Sequence, residues 1–207
     1  MSKEYKWIIS PIFPHCSFEA RNKYLCTFKF AKIECTNIAY IPYIGFDIEY
    51  QIPEQAEYPY SVIDPDTHLY GYKNKIGKLV IPCRYENYGY FNSDGLAIVE
   101  TTNGSFKIID SFNHSTNEYY GIGNALVPSY PNHILLDSIV GVKDESGLWG
   151  IIDAKQDRPP VRRYLVKPQF EDIFECCGGY ASVKYKGKWG LIRINFSKYW
   201  VENINVV

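Results

Sequence analysis

The amino-acid sequence predicts an all-β protein, an array of about five units of about 40 residues, each a β-hairpin or meander. Residue usage is the first reason: 24 Ile and 12 Val stand against 10 Leu and 8 Ala, and 19 Tyr and 11 Phe add side chains that fit a pleated, half-buried surface. Self-similarity is the second. Gly187-Lys188-Trp189-Gly190-Leu191-Ile192-Arg193 aligns without a gap to Gly147-Leu148-Trp149-Gly150-Ile151-Ile152-Asp153, and Gly104-Ser105-Phe106-Lys107-Ile108-Ile109-Asp110 and His68-Leu69-Tyr70-Gly71-Tyr72-Lys73 are weaker copies. Their aromatic positions 70, 106, 149 and 189 lie 36, 43 and 40 residues apart.

Taken along the chain, Trp7-Ile8-Ile9-Ser10-Pro11-Ile12-Phe13 reads like the strand that leads into Pro168-Gln169-Phe170. The chain thus opens with the segment that its last unit, ending near Arg193, lacks, and terminal strands that complete one shared unit would hide an edge. Thr27-Phe28-Lys29-Phe30 sits 42 residues before Tyr70 and Ile41-Pro42 sits 40 before Pro82, so a worn unit fits residues 22 to 60. Within each clearer unit a second element follows the aromatic strand: Leu79-Val80-Ile81-Pro82-Cys83-Arg84-Tyr85-Glu86, Val127-Pro128-Ser129-Tyr130 and Val166-Lys167-Pro168-Gln169-Phe170-Glu171-Asp172. Pro82, Pro128 and Pro168 are each expected to end a β-rich run, where a missing N–H is tolerated. A third element, Gly95-Leu96-Ala97-Ile98-Val99 or Gly179-Tyr180-Ala181-Ser182-Val183-Lys184, returns by a short Gly-containing turn to the aromatic strand. In that strand the ring faces a core, and the following Gly leaves room for it or for a close backbone. The boundaries are a degenerate repeat region over 1–60, repeats over 61–195 and a capping segment over 196–207, in one structural domain. A closed, propeller- or barrel-like array and an open solenoid both fit.

These segments resemble the WG-repeat family of bacterial proteins, named for the dipeptide that stands here as Trp149-Gly150 and Trp189-Gly190, with Tyr70-Gly71 and Phe106-Lys107 as degenerate copies. The resemblance covers about residues 60 to 195. It implies an all-β repeat array and an interaction module, and it brings no catalytic residues.

Composition narrows the function. With 22 Lys+Arg against 23 Asp+Glu, near-neutrality argues against general nucleic-acid or membrane binding. The polar start Met1-Ser2-Lys3-Glu4-Tyr5-Lys6-Trp7 lacks an apolar leader core, which gives cytoplasmic localisation as the expectation. Six irregularly spaced cysteines are expected to be reduced, and the scattered His15, His68, His114 and His133 suggest no metal site. No phosphate-binding glycine loop, Gly-x-Ser-x-Gly or His-Glu-x-x-His motif is present, so no cofactor and no catalytic residue is assigned and a non-enzymatic protein is expected.

The neutral total conceals an asymmetry. Between Lys32 and Lys73 there is no Lys or Arg, while Glu34, Asp47, Glu49, Glu54, Glu57, Asp64 and Asp66 are present. With Tyr58 and Tyr60 this acidic segment reads as a docking face for a basic protein. Two inserts, Asn113–Gly123 with Tyr119 and Tyr120, and Ala154–Arg163 with Pro159 and Pro160, are further contact candidates, although the tyrosine pair could equally cover the adjacent core. The expected partner-binding set is Glu49, Glu54, Glu57, Tyr58, Tyr60, Asp64, Asp66, Tyr119 and Tyr120. The expected function is a protein-binding module, in the specific form of a cytoplasmic immunity or inhibitor protein masking a basic toxin. A carbohydrate- or cell-wall-binding module is the alternative.

Overall fold

The computed structural model describes residues 5–13, 15–22, 25–31, 43–49, 58–92, 94–123, 138–177, 179–194 and 204–206. Its strands are β1 (Tyr5–Phe13), β2 (His15–Asn22), β3 (Leu25–Ala31), β4 (Tyr43–Glu49), β5 (Tyr60–Ile63), β6 (Tyr70–Lys73), β7 (Leu79–Tyr88), β8 (Leu96–Thr101), β9 (Phe106–Asp110), β10 (Gly121–Ile122), β11 (Ile139–Lys143), β12 (Trp149–Asp153), β13 (Tyr164–Phe170), β14 (Asp172–Cys177), β15 (Tyr180–Tyr185), β16 (Lys188–Ile194) and β17 (Ile204–Val206). The protein is all-β, with no helix among the described residues. The strands form antiparallel sheets in the orders β2-β3-β4-β17, β5-β6-β7-β8-β9, β10-β11-β12-β13 and β14-β15-β16-β1, and none of these sheets closes into a barrel.

The unit is an antiparallel pair followed by a crossing segment. The pairs are β3–β4, β5–β6, β8–β9, β11–β12 and β15–β16. The crossing segment finishes one pair and opens onto the next: β7 lies along β6 with its first half and along β8 with its second. At Glu171 the chain passes from β13, paired to β12, into β14, paired to β15. At the beginning of the chain β1 pairs with β16, and one residue later β2 pairs with β3. The N-terminal strand therefore fills the place beside the last pair that β7 and β13 fill beside theirs, as the likeness of Trp7–Phe13 to the strand leading into Pro168 predicts. β17 pairs with β4 in the first sheet, so the described part of the C-terminal segment does not cap the last unit.

A shared register accompanies this plan. Each aromatic strand begins opposite an aromatic residue of the neighbouring segment: Tyr70 opposite Tyr85, Trp149 opposite Phe170, Trp189 opposite Phe13, and Phe106 opposite Tyr119. In the third unit that neighbouring segment is residues 115–119, which bridge to β9 at Ile109 and Phe106. The expected Val127–Tyr130 strand lies outside the described residues, as does Ile41-Pro42. The Thr27–Phe30 fragment, aligned by spacing with the aromatic strands, occupies β3. Since β2 follows β1 as β14 follows β13, β3 takes the place of β15, and the alignment is off by one strand. The prolines also depart from expectation. Pro82 and Pro168 lie within β7 and β13, where the register shifts, so the missing N–H falls at a bulge rather than at a strand end.

Successive residues of a strand point to opposite faces, and here both faces are covered. Leu96 and Ile98 of β8 pack with Ile108, Tyr119, Ile122, Val140, Val142 and Ile152, while Ala97 and Val99 pack with Tyr72, Ile81, Tyr85 and Ile109. Ile139 and Ile151 turn instead toward Val166, Phe170, Ile173, Val183 and Ile192. Each fully buried Val, Leu or Ile contributes roughly 1.5–3 kcal/mol, so unbroken apolar runs such as Leu96–Val99 hold neighbouring sheets together.

The connections repeat a five-residue frame. In Asn74–Lys78, Asn92–Leu96, Thr101–Ser105, Asp110–His114 and Asp144–Leu148, the first residue's N–H donates to the fifth carbonyl and the fourth N–H donates to the first carbonyl. The fourth residue is left-handed, with φ of 79° at Gly77, 72° at Gly95, 77° at Gly104, 67° at Asn113 and 80° at Gly147. Where the first residue is Asn92, Asp110 or Asp144, its side-chain oxygen also accepts the third residue's N–H.

Candidate functional site

The third residue of this frame stands at the tip of the turn; Asn103 and Ser146 there are exposed, while Asp94 is partly buried and paired with Lys155. Three frames place a polar residue there: Asp94, Asn103 and Ser146. The other two place Ile76, 84% exposed, and Phe112, 80% exposed. The turn geometry requires neither side chain to be apolar. Both border one groove of about 610 Å³, lined by Tyr58, Pro59, Asn74, Lys75, Ile76, Val80, Ser111 and Phe112. The volume falls in the range of known ligand clefts, and bulky apolar groups dominate the lining.

The walls of the groove are held by polar contacts that leave the apolar tips outside. Asn74 Oδ1 accepts from the Lys78 N–H at 3.0 Å. Across the groove, Arg84 Nη2 donates to Asn113 Oδ1 at 2.9 Å, tying the Asp110–His114 turn to β7. Asp110 Oδ1 accepts from the N–H groups of Phe112 and His114, and its other oxygen lies 2.9 Å from His114 Nδ1 and 3.6 Å from Arg158 Nη2.

The structure divides the partner-binding set predicted from sequence. Tyr58 lines the groove, and half-exposed Tyr60 pairs with Lys73 at the groove end of the β5–β6 hairpin. Asp64 and Asp66 lie in the turn beyond Ile63 and Tyr70, at the other end of that hairpin. Asp64 is engaged locally, since its Oδ1 accepts from Asp66 N at 3.0 Å, Thr67 N at 2.9 Å and Thr67 Oγ1 at 3.1 Å. Glu49 ends β4, opposite Leu25, and its side chain lies outside the described part; Glu54 and Glu57 are outside it altogether.

Tyr120 is 62% exposed, whereas Tyr119 is fully buried and offers no contact surface. Tyr119 occupies the aromatic register position opposite Phe106, and its hydroxyl donates to Asp157 Oδ2 at 3.1 Å. Burial first, then the neighbouring Asp157 charge, pushes the Tyr119 phenol far above its usual range. The two inserts are thereby joined. The buried Asp157 carboxylate also accepts from Asn117 N at 2.9 Å, Asn117 Nδ2 at 3.0 Å and Arg163 N at 2.9 Å. Arg162 extends the contact, with one Nη on Glu145, the other donating to the Glu118 carbonyl, and its guanidinium over the Tyr119 ring.

Three surface carboxylates are held below their ordinary values: Asp64 by the Thr67 and Asp66 N–H groups, Glu118 by Lys107 and then Asn103, and Glu145 by Arg162. Folding lowers each value relative to the unfolded chain, so their stabilisation is complete above the ordinary values of 3.8 for Asp and 4.5 for Glu and is lost as pH falls below them. Urea midpoints measured against pH should therefore decline on the acid side of this window. Glu118→Gln should flatten part of that decline.

Among the described residues no three His, Cys, Asp or Glu side chains are grouped to hold a metal ion. The family model for WG-containing repeats matches residues 70–104 and 163–189. The first segment covers β6, β7 and β8 and the second covers β13, β14, β15 and the start of β16, so each holds a crossing segment and the strand that follows it. In these two segments the chain carries WG-containing repeats. No curated protein and no solved structure gives a significant match.

In the WG repeats the glycine meets backbone. A Cβ on Gly150 would lie 2.7 Å from the Val166 oxygen and 2.9 Å from Pro168 N, and one on Gly71 would lie 2.5 Å from the Ile81 oxygen. One on Gly190 would lie 2.6 Å from the Ile9 oxygen and 2.9 Å from Pro11 N. The bulged proline strand therefore crosses directly over the WG glycine, while the preceding ring packs on Tyr88 of β7 at Tyr70 and on Phe174 of β14 at Trp189. In the third copy, residues 115–119 make only isolated bridges to β9, and Lys107 occupies the glycine position with its Nζ 2.9 Å from Glu118. The WG pair is a packing device, so the candidate site lies elsewhere, at the groove between two connecting turns. The signal for it in the sequence is the frame itself, since Asn74-x-Ile76-Gly77 and Asp110-x-Phe112-Asn113 fix their third residue at a solvent-facing tip.

Proposed function

We propose that this WG-repeat protein is a non-enzymatic protein-binding module whose binding surface is the groove walled by the Asn74–Lys78 and Asp110–His114 turns. One observation carries the reading: Ile76 and Phe112 are large apolar side chains held in solvent at turn tips that other units fill with polar residues, and both flank the same cleft. Exposed apolar groups clustered around a concavity gain by excluding water against a partner, and they add nothing to the fold. A toxin-masking inhibitor is one form such binding takes, and the reading assigns no catalytic residue.

The test is substitution at the tips. Ile76→Ser and Phe112→Ser should each change folding stability by less than about 0.5 kcal/mol, because these side chains are already in water. The same substitutions should weaken capture of a partner from a lysate of the source organism by roughly 10–100-fold, the effect of losing an interface anchor. Capture that is indifferent to both substitutions would place the binding surface elsewhere.

A further inference from the structure

Charge around the groove specifies its occupant. From Lys73 to Arg84 the chain carries four cations, Lys73, Lys75, Lys78 and Arg84, and no carboxylate. The same stretch supplies Ile76, Leu79 and Val80, which are 84%, 45% and 36% exposed. Apolar and cationic groups thus alternate along the β6–β7 hairpin, and among the described residues the groove is lined by Lys75 and by no Asp or Glu. The Arg84 guanidinium, on Asn113, stands beside the turn that carries Phe112. Of the preceding acidic run, Asp64 and Asp66 are at the far end of the β5–β6 hairpin, where Ile63 faces Tyr70.

Resting on the protein-binding reading above, we infer that the groove receives an extended segment of a protein partner in which bulky apolar side chains are flanked by carboxylates. The apolar side chains bury against Tyr58, Ile76, Val80 and Phe112 and supply the affinity. The flanking carboxylates meet the lysines of the turn, which speeds encounter and rejects basic segments by like-charge repulsion. This sign is opposite to that suggested by the acidic run between Lys32 and Lys73; Asp64 and Asp66 of that run lie at the end of the β5–β6 hairpin away from the groove.

The experiment selects a random peptide library against the full-length protein and measures the affinity of the enriched peptides. Peptides combining bulky apolar residues with Asp or Glu should dominate. Their binding should weaken as salt is raised, and it should fall at least roughly tenfold with Phe112→Ser and, separately, with the Lys75→Glu, Lys78→Glu double variant. Enrichment of basic or uncharged peptides, or no enrichment, overturns the inference. Loss with Phe112→Ser but not with the charge reversal leaves the groove as a binding site and removes the acidic specification. Indifference to both variants removes the protein-binding reading of the groove as well. If the protein self-associates in sedimentation and Phe112→Ser abolishes the association, the occupant is a second copy, and the inference is overturned.

Discussion

Asp157→Ala is expected to cost about 3–5 kcal/mol of folding stability, the range seen when one partner of a buried charged network is removed. The carboxylate is inaccessible to solvent and accepts from four donors: two on Asn117, the Tyr119 hydroxyl and the Arg163 N–H. Alanine would leave all four facing a void, and each unsatisfied buried donor costs roughly 1–3 kcal/mol before water entry recovers part of it. Asp157→Asn keeps the shape but turns one acceptor into a donor aimed at other donors, so its cost should be smaller, about 2 kcal/mol. Urea denaturation at neutral pH measures both. A cost for the alanine variant below about 1 kcal/mol would show that the two inserts are held by their apolar contacts alone.

That latch also shows where sequence reasoning stops. The two inserts were visible as lengthened units, but nothing in linear sequence says that a carboxylate in one satisfies an amide and a phenol 40 and 38 residues away in the other. Tyr119 and Tyr120 look alike as a pair, yet only Tyr119 sits in the repeat register opposite Phe106, which buries it. The missed cue was the spacing of aromatic residues on the crossing segment, four residues from Ile81 to Tyr85 and from Val166 to Phe170, because the eye follows the WG strand instead. By contrast, the role of Trp7–Phe13 was legible. It copies the pattern of the crossing strand, and a copied pattern carries its pairing partner with it when the partner lacks that strand.

The acidic run illustrates a different limit. Charge counted along a chain assumes that neighbours in sequence share a surface, and a β-hairpin breaks that assumption within a few residues. Tyr60 and Lys73 meet at one end of the β5–β6 pair while Asp64 and Asp66 lie past the other. Rise along a strand is about 3.3 Å per residue, so a four-residue strand already separates the two ends by more than the Debye length at physiological salt. Tyr58 and Tyr60 thus stand at one end of the hairpin and Asp64 and Asp66 at the other.

Gly190→Ala and Gly150→Ala are each expected to destabilise the protein by about 3 kcal/mol, the upper part of the range for overpacking a rigid site. The added methyl would meet backbone rather than a movable side chain: at Gly150 the Val166 oxygen and Pro168 N, at Gly190 the Ile9 oxygen and Pro11 N. At Gly190 it would also strike Trp7 Cζ3 at 2.8 Å. Trp7 packs edge-on to Tyr5 and Phe170, so it has little room to withdraw. The two variants should differ in how they fail. β13 follows β12 of its own sheet along the chain, whereas β1 joins its sheet by pairing alone, so Gly150→Ala should lower stability as a whole. β1 is held to the last sheet by pairing with β16, so Gly190→Ala should in addition speed hydrogen exchange selectively at the β1 and β16 amides that pair with each other. Lys107→Gly is the control. The third copy has no bulged strand over that position, so the variant should cost only about 1 kcal/mol for strand entropy and should gain nothing in packing. Equal protection of β1 and β13 in the two glycine variants would mean that the N-terminal strand is not the weaker joint of the array.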